Sequence, residues 1–208
     1  MKTIILPVED PHALPRALET LQSGGLVAFP TDTVYGVGAL AFDRLAVVSI
    51  YKAKNRPVER AIPVLIGDVD DLQKVAIEIP KIAFRLAAHF WPGPLTLVIP
   101  KHPKLPESIS AGPTVGVRIP NHPVTLALLR LAGPMAVTSA NLSGQPSPKT
   151  AQEVDAQLGG RIALILDAGT TPGGVPSTVV DCSGGEPQIL RVGPISQTDI
   201  LAIIESEA

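Results

Sequence analysis

The sequence predicts an α/β protein, a single domain over residues 1–208 built on an open mixed sheet with flanking helices. Three observations carry this. Short β-branched apolar runs alternate along the chain with helical stripes of three to four turns. Apolar residues make up 45% of the 208 positions, enough for one substantial core. Several apolar runs end in polar or cationic residues, and the ends of strands are where open α/β sheets take their ligands.

The strands read, in order, as "TIIL" from Thr3, "LVAF" from Leu26, "IPVLI" from Ile62, "LTLVI" from Leu95 and "TVGVRI" from Thr114. "MAVT" from Met135, "IALIL" from Ile162, "STVVD" from Ser177 and "QILRV" from Gln188 complete the set. Helices fill the intervals. Asp10 followed by Pro11 predicts an N-cap and first helical residue. Val47, Val48, Ile50 and Tyr51 mark a helix that Pro57 ends. Residues 78–90 carry Ile79, Ile82, Ala83, Leu86, Ala87 and Phe90 at helical spacing, so this segment buries one stripe. Thr150 with Glu153 predicts a capping box ahead of a helix stopped by Gly159 and Gly160. A last helix starts at Ser196 and buries Ile200, Ile203 and Ile204.

Charge is nearly balanced, with a net of -2, so any nucleic-acid contact must depend on a local patch. Such a patch exists at "KAKNRPVER", where Lys52, Lys54, Arg56 and Arg60 face one acid, Glu59. A single cysteine, Cys182, excludes an internal disulfide and a cysteine-rich zinc site; a free Cys after an apolar run reads as core. Four scattered histidines offer no metal-ligand spacing. No apolar stretch is long enough to span a bilayer, and acids come too early for a signal peptide, which predicts a cytoplasmic protein. The 22 prolines, many at strand ends, predict stiff connections.

Neither a GxxxxGK[ST] loop nor a GxGxxG turn is present, so a nucleotide has to be gripped by side chains at strand ends. "FPTDTVYG" offers Thr31, Asp32 and Thr33 where a strand leaves the core. Lys54 and Arg56, two apart past a helix end, are placed to point the same way, while Lys52 reads as a helix-dipole cation. Arg118 interrupts an apolar strand and needs a carboxylate or ligand as partner. "VTSANLSG" supplies Ser139 and Asn141, and Ser177, Thr178 and Arg191 stand at later strand ends. No G-x-S-x-G elbow points to nucleophilic hydrolysis.

Seven segments in order, "FPTDTVYG", "KNRP", "WPGPLTLV", "VGVRIP", "TSANLSG", "STVVD" and "ILRVG", resemble the YrdC-like threonylcarbamoyl-AMP synthases. The family's K-x-R and S-x-N motifs read here as Lys54 to Arg56 and Ser139 to Asn141. The resemblance implies a twisted sheet with a basic concave face, in the short form without an extra C-terminal domain. It implies a nucleotidyltransferase that converts L-threonine, bicarbonate or carbon dioxide, and ATP into threonylcarbamoyl-adenylate and pyrophosphate. The product would feed tRNA threonylcarbamoyladenosine through a downstream transferase, with direct tRNA contact a weaker expectation. Magnesium would ride on ATP, with no protein metal site. By the same resemblance Thr33, Arg118 and Ser177 hold threonine. Lys54 and Arg56 are catalytic, and with Arg60, Ser139, Asn141 and Arg191 they bind ATP. Arg60 and Leu65 stand where some relatives have Asn and His.

Overall fold

The computed structural model of the chain describes residues 2–206. β1 (Ile4–Pro7) leads through α1 (Ala13–Gln22) to β2 (Val27–Phe29), which reverses into β3 (Gly36–Leu40). Next come α2 (Arg44–Lys54), β4 (Val64–Leu65), the short α3 (Leu72–Val75), α4 (Lys81–Phe90) and the pair β5 (Leu95–Pro100) and β6 (Thr114–Arg118). α5 (Pro123–Ala132), β7 (Met135–Ser139), α6 (Ala151–Leu158) and β8 (Leu164–Asp167) follow. β9 (Thr178–Asp181), β10 (Gln188–Arg191) and α7 (Gln197–Glu205) close the described chain.

The strands form one mixed sheet in the order β1-β8-β2-β3-β7-β4-β6-β5-β9-β10. β1 and β2 run parallel to β8, β4 to β6, and β5 to β9; the remaining neighbours are antiparallel. All nine predicted strand segments appear, and β3, rich in glycine, adds a tenth that no β-branched run announces. Its glycines are there for clearance. A Cβ on Gly36 or Gly38 would meet a methyl of Val137 on β7 at 2.8 Å.

Strand alternation explains where the helices sit and where they do not. Leu95, Leu97, Ile99, Val115, Val117 and Val180 point into the larger core, beneath helices α2, α4, α6 and α7. On the other face α1 and α5 cover Val27, Phe29, Met135, Val137, Leu164 and Leu166. The residues between the large-core positions of β5, β6 and β9, namely Thr96, Val98, Gly116, Arg118 and Val179, share that second face and line an open cleft instead. Helices thus cover half of one face, and the uncovered half is the concavity.

Helix starts differ from expectation in two places. α1 begins at Ala13 with His12 as N-cap, because the Asp10 carboxylate is spent on the His12 amide in a preceding turn. α4 begins at Lys81, because Pro80 is extended and Glu78 holds a left-handed φ of 46°. Thr150 caps the amide of Glu153 as predicted, while the Glu153 carboxylate accepts from Lys149 rather than closing the box. Ser196 and Asp199 form a full capping box at α7, and Ile200 is buried there. Cys182 is buried at 1% exposure, and burial pushes its thiol up to about 12, as a core cysteine requires. Among the described residues no helix is long and apolar enough to cross a membrane.

Candidate active site

The cleft over β5, β6, β7 and β9 has a volume of about 360 Å³. One end is built around Arg118, which leaves β6 beneath the turn that follows β2. Its Nε donates to the Gly93 carbonyl at 2.9 Å, Nη1 to Thr33 Oγ1 at 3.2 Å and Nη2 to Asp32 Oδ1 at 2.5 Å. The ion pair is nearly shut off from water, the Arg118 and Asp32 side chains being 8% and 13% exposed. This supplies the partner that an arginine in an apolar strand demanded. Burial lowers the Arg118 pKa and the Asp32 charge opposes that shift. Thr33 is held by its neighbour: Thr31 Oγ1 lies 2.9 Å from Thr33 Oγ1 and accepts from the amides of Thr33 and Val34.

Arg56 and Ser139 form the second end. α2 stops because Asn55 turns left-handed, with φ at 51°, and its amide and that of Arg56 close back on Lys52 and Tyr51. Arg56 then reaches across its own loop, Nε donating to the Arg60 carbonyl at 3.2 Å and Nη2 to the Ala61 carbonyl at 2.9 Å. Arg191 and Ser177 make the third wall. Arg191 Nε donates to the Ser177 carbonyl at 3.0 Å, and Ser177 Oγ lies 2.8 Å from Thr96 Oγ1. Burial lowers the pKa of both Arg56 and Arg191, yet a guanidinium starts so high that both stay charged.

Thr33, Arg56, Arg118, Ser139, Ser177 and Arg191 therefore share one hollow, as the sequence reading required. Three predicted residues do not line it. Lys54, expected at the nucleotide, is 1% exposed and donates from Nζ to the carbonyls of Ser139 and Asn141 and to Asn141 Oδ1. The ammonium is drawn inward because it satisfies the two carbonyls where the chain turns after β7. Burial, and next the Arg56 charge, pull Lys54 down to about 7, while its three acceptors favour the charged form. Asn141 is likewise turned into its own loop, its Nδ2 donating to the carbonyls of Leu142 and Gln145. Arg60 is exposed; its main chain anchors Arg56 and its side chain lies outside the cleft lining.

Thr138, which closes the "MAVT" strand, lines the cleft, and so do Thr96 and Val179, which reasoning from sequence left out. The alternation in "LTLVI" carried the signal, since Thr96 and Val98 must face away from Leu95 and Leu97. Among the described residues no group of three or more His, Cys, Asp and Glu side chains is placed to hold a metal ion.

The sequence profile described as telomere recombination, of the Sua5/YciO/YrdC family, matches residues 19–193. The chain belongs to the Sua5/YciO/YrdC family. Within this family a putative threonylcarbamoyl-AMP synthase of Mycobacterium tuberculosis is 40% identical over 97% of this chain and 94% of its own length. The threonylcarbamoyl-AMP synthase of Bacillus subtilis is 45% identical over 96% of this chain, which spans only 58% of that longer relative. The solved structure of Pyrococcus abyssi Sua5 complexed with L-threonine superposes with a TM-score of 0.94 at 43% identity, covering 98% of this chain and 61% of that one.

Proposed function

We propose that the protein is a threonylcarbamoyl-AMP synthase, joining L-threonine, carbon dioxide or bicarbonate, and ATP into threonylcarbamoyl-adenylate with release of pyrophosphate. The observation that carries this reading is the single cleft, which joins the buried Arg118–Thr33 corner, the Ser177–Arg191 wall and the Arg56–Ser139 end. The family relationship points the same way.

Arg118 and Thr33 would take the carboxylate and hydroxyl of threonine, with Ser177 closing that pocket. The threonine amine adds to carbon dioxide and loses a proton, forming a carbamate. A carbamate oxygen then bonds to the α-phosphorus of ATP as the bond to the β-phosphate bridging oxygen breaks and pyrophosphate departs. Two anions must approach for this step. At ~4 Å they repel by about 4 kcal/mol at an effective dielectric of 20. Arg56 and Arg191 offset that repulsion, and they also stabilise charge developing on the leaving pyrophosphate. Magnesium arrives with ATP as part of that substrate. Proline-stiffened walls shield a carbamate that would otherwise lose carbon dioxide to water.

Lys54 and Asn141 enter this mechanism as positioning residues. They hold the turn that presents Ser139, rather than touching phosphate. Arg60 acts through its main chain. We place the reaction in the cytoplasm, where the adenylate would pass to a threonylcarbamoyl transferase acting on tRNA; direct tRNA contact by this chain is not needed for the chemistry. The deciding experiment measures pyrophosphate release with ATP, threonine and bicarbonate, each omitted in turn, with mass spectrometry of the product. Release that persists without threonine overturns the proposal.

A further inference from the structure

The three cleft arginines are not equivalent. Arg56 and Arg191 donate to carbonyl and hydroxyl oxygens, which leave their full positive charge facing the cleft. Arg118 instead lies against a carboxylate, Asp32, at 2.5 Å. Asp32 uses one oxygen for this pair, and its Oδ2 is buried with no donor. His122, the other ionisable group that senses Asp32, is held below its usual pKa by burial, and its Nδ1 also lacks a partner. A neutral His122 leaves Arg118 as the counter-ion of Asp32, so the Asp32–Arg118 pair itself carries no net charge. Arg56 and Arg191 carry positive charges that no carboxylate pairs with among the described residues, and the Arg191 charge reaches Arg118.

We infer that Asp32 is a specificity-determining residue that sorts the two substrates along the cleft, making the Arg118 corner accept a zwitterion and reject phosphate. The inference rests on the functional reading above. A cleft lined by three free arginines would bind a triphosphate at either end, and ATP or pyrophosphate would compete for the amino-acid site. With Asp32 beside Arg118, a phosphate meets attraction and repulsion together in a poorly screened corner. An amino acid meets the field of this pair, its carboxylate toward the guanidinium and its ammonium in the negative potential of Asp32, which stands behind Arg118 outside the cleft lining. Once the amine has become a carbamate, the same carboxylate repels the new anion toward Arg56 and Arg191, which is the direction of ATP.

The test is calorimetry on the full chain with L-threonine, with 3-hydroxybutyrate, which lacks only the amine, and with pyrophosphate as a competing anion. Wild-type protein is expected to bind threonine at least tenfold more tightly than 3-hydroxybutyrate, with threonine affinity unaffected by pyrophosphate. In Asp32→Asn that preference should collapse to within about threefold, and pyrophosphate should compete with threonine; Asp32→Glu, which keeps the charge, should restore the preference. A purely structural role for Asp32 would weaken both ligands alike and leave their ratio unchanged, and that result overturns the inference. Should Asp32→Asn fail to fold, the wild-type comparison decides, since equal binding of threonine and 3-hydroxybutyrate overturns it equally. Wild-type protein that binds no threonine at all overturns the functional reading, and the inference with it.

Discussion

Lys54 donates from Nζ to both the main-chain carbonyl and the side-chain Oδ1 of Asn141, a residue 87 positions away in sequence. The last turn of α2 and the turn after β7 are therefore one unit, and the K-x-R and S-x-N motifs divide their labour. One member of the first, Arg56, faces the cleft together with Ser139 of the second. The other members hold these two in place.

That division separates two alanine variants. Lys54→Ala takes the ammonium donor from the Ser139 and Asn141 carbonyls and opens a void, while Asn141 Oδ1 keeps the Ser139 hydroxyl, so it is expected to lower stability by about 3 kcal/mol as well as abolish turnover. Arg56→Ala removes a half-buried side chain and two loop hydrogen bonds, costing about 1 kcal/mol of stability while turnover is lost. Urea unfolding read beside pyrophosphate release checks both. Equal unfolding midpoints for the two variants would return Lys54 to the cleft.

Lys54 also predicts a pH dependence. Its pKa falls from the ordinary 10.5 in the unfolded chain to about 7 in the native protein. Between those values unfolding takes up a proton, so this group's contribution to stability rises with pH across that window and is flat below it. Relative to Lys54→Met, the wild type should gain on the order of 2 kcal/mol between pH 7 and pH 9. Urea titrations of both proteins at the two pH values measure the difference. A wild-type curve parallel to that of the variant would show that the three acceptors keep the ammonium charged.

Arg118→Ala is expected to weaken threonine binding by about 2–3 kcal/mol, the range for a lost charge-assisted hydrogen bond. It also strands Asp32 in a buried site, at a stability cost of about 3–5 kcal/mol. Adding Asp32→Asn removes the stranded charge, so the double variant should recover stability without recovering threonine affinity. Thermal unfolding and calorimetry together distinguish the two effects.

Gly173 approaches the back of Thr33 so closely that an added Cβ would lie 2.1 Å from the Thr33 carbonyl oxygen. All three of the nearest atoms belong to the Thr33 main chain, so Gly173→Ala has to displace the turn that presents Thr33. The expected cost is about 1–3 kcal/mol of stability. Steady-state kinetics should show KM for threonine rising more than kcat falls. Unchanged KM would mean that the turn tolerates the shift and that Thr33 is not held from behind.

Local patterns in the chain were enough to specify most of the strands, the cap at Thr150, the helix start at Ser196, the core setting of Cys182, and the family. Each of these depends on neighbours within a few positions, through alternation, capping or ordered motifs. Spacing alone also brought Arg56, Arg118, Ser177 and Arg191 to strand or helix ends. What it left undecided was the direction in which each side chain turns. Lys54 and Arg56 are two residues apart and chemically alike, yet one is drawn inward by carbonyls from β7 and the other is held at the cleft by its own loop. Asp32 acquired its meaning from Arg118, 86 positions later. Those outcomes were decided by the sheet order, which sets β6 and β7 on either side of β4 and leaves half of one face without helices. Burial then forces every polar group at that boundary to find a partner from whichever strand lies beside it.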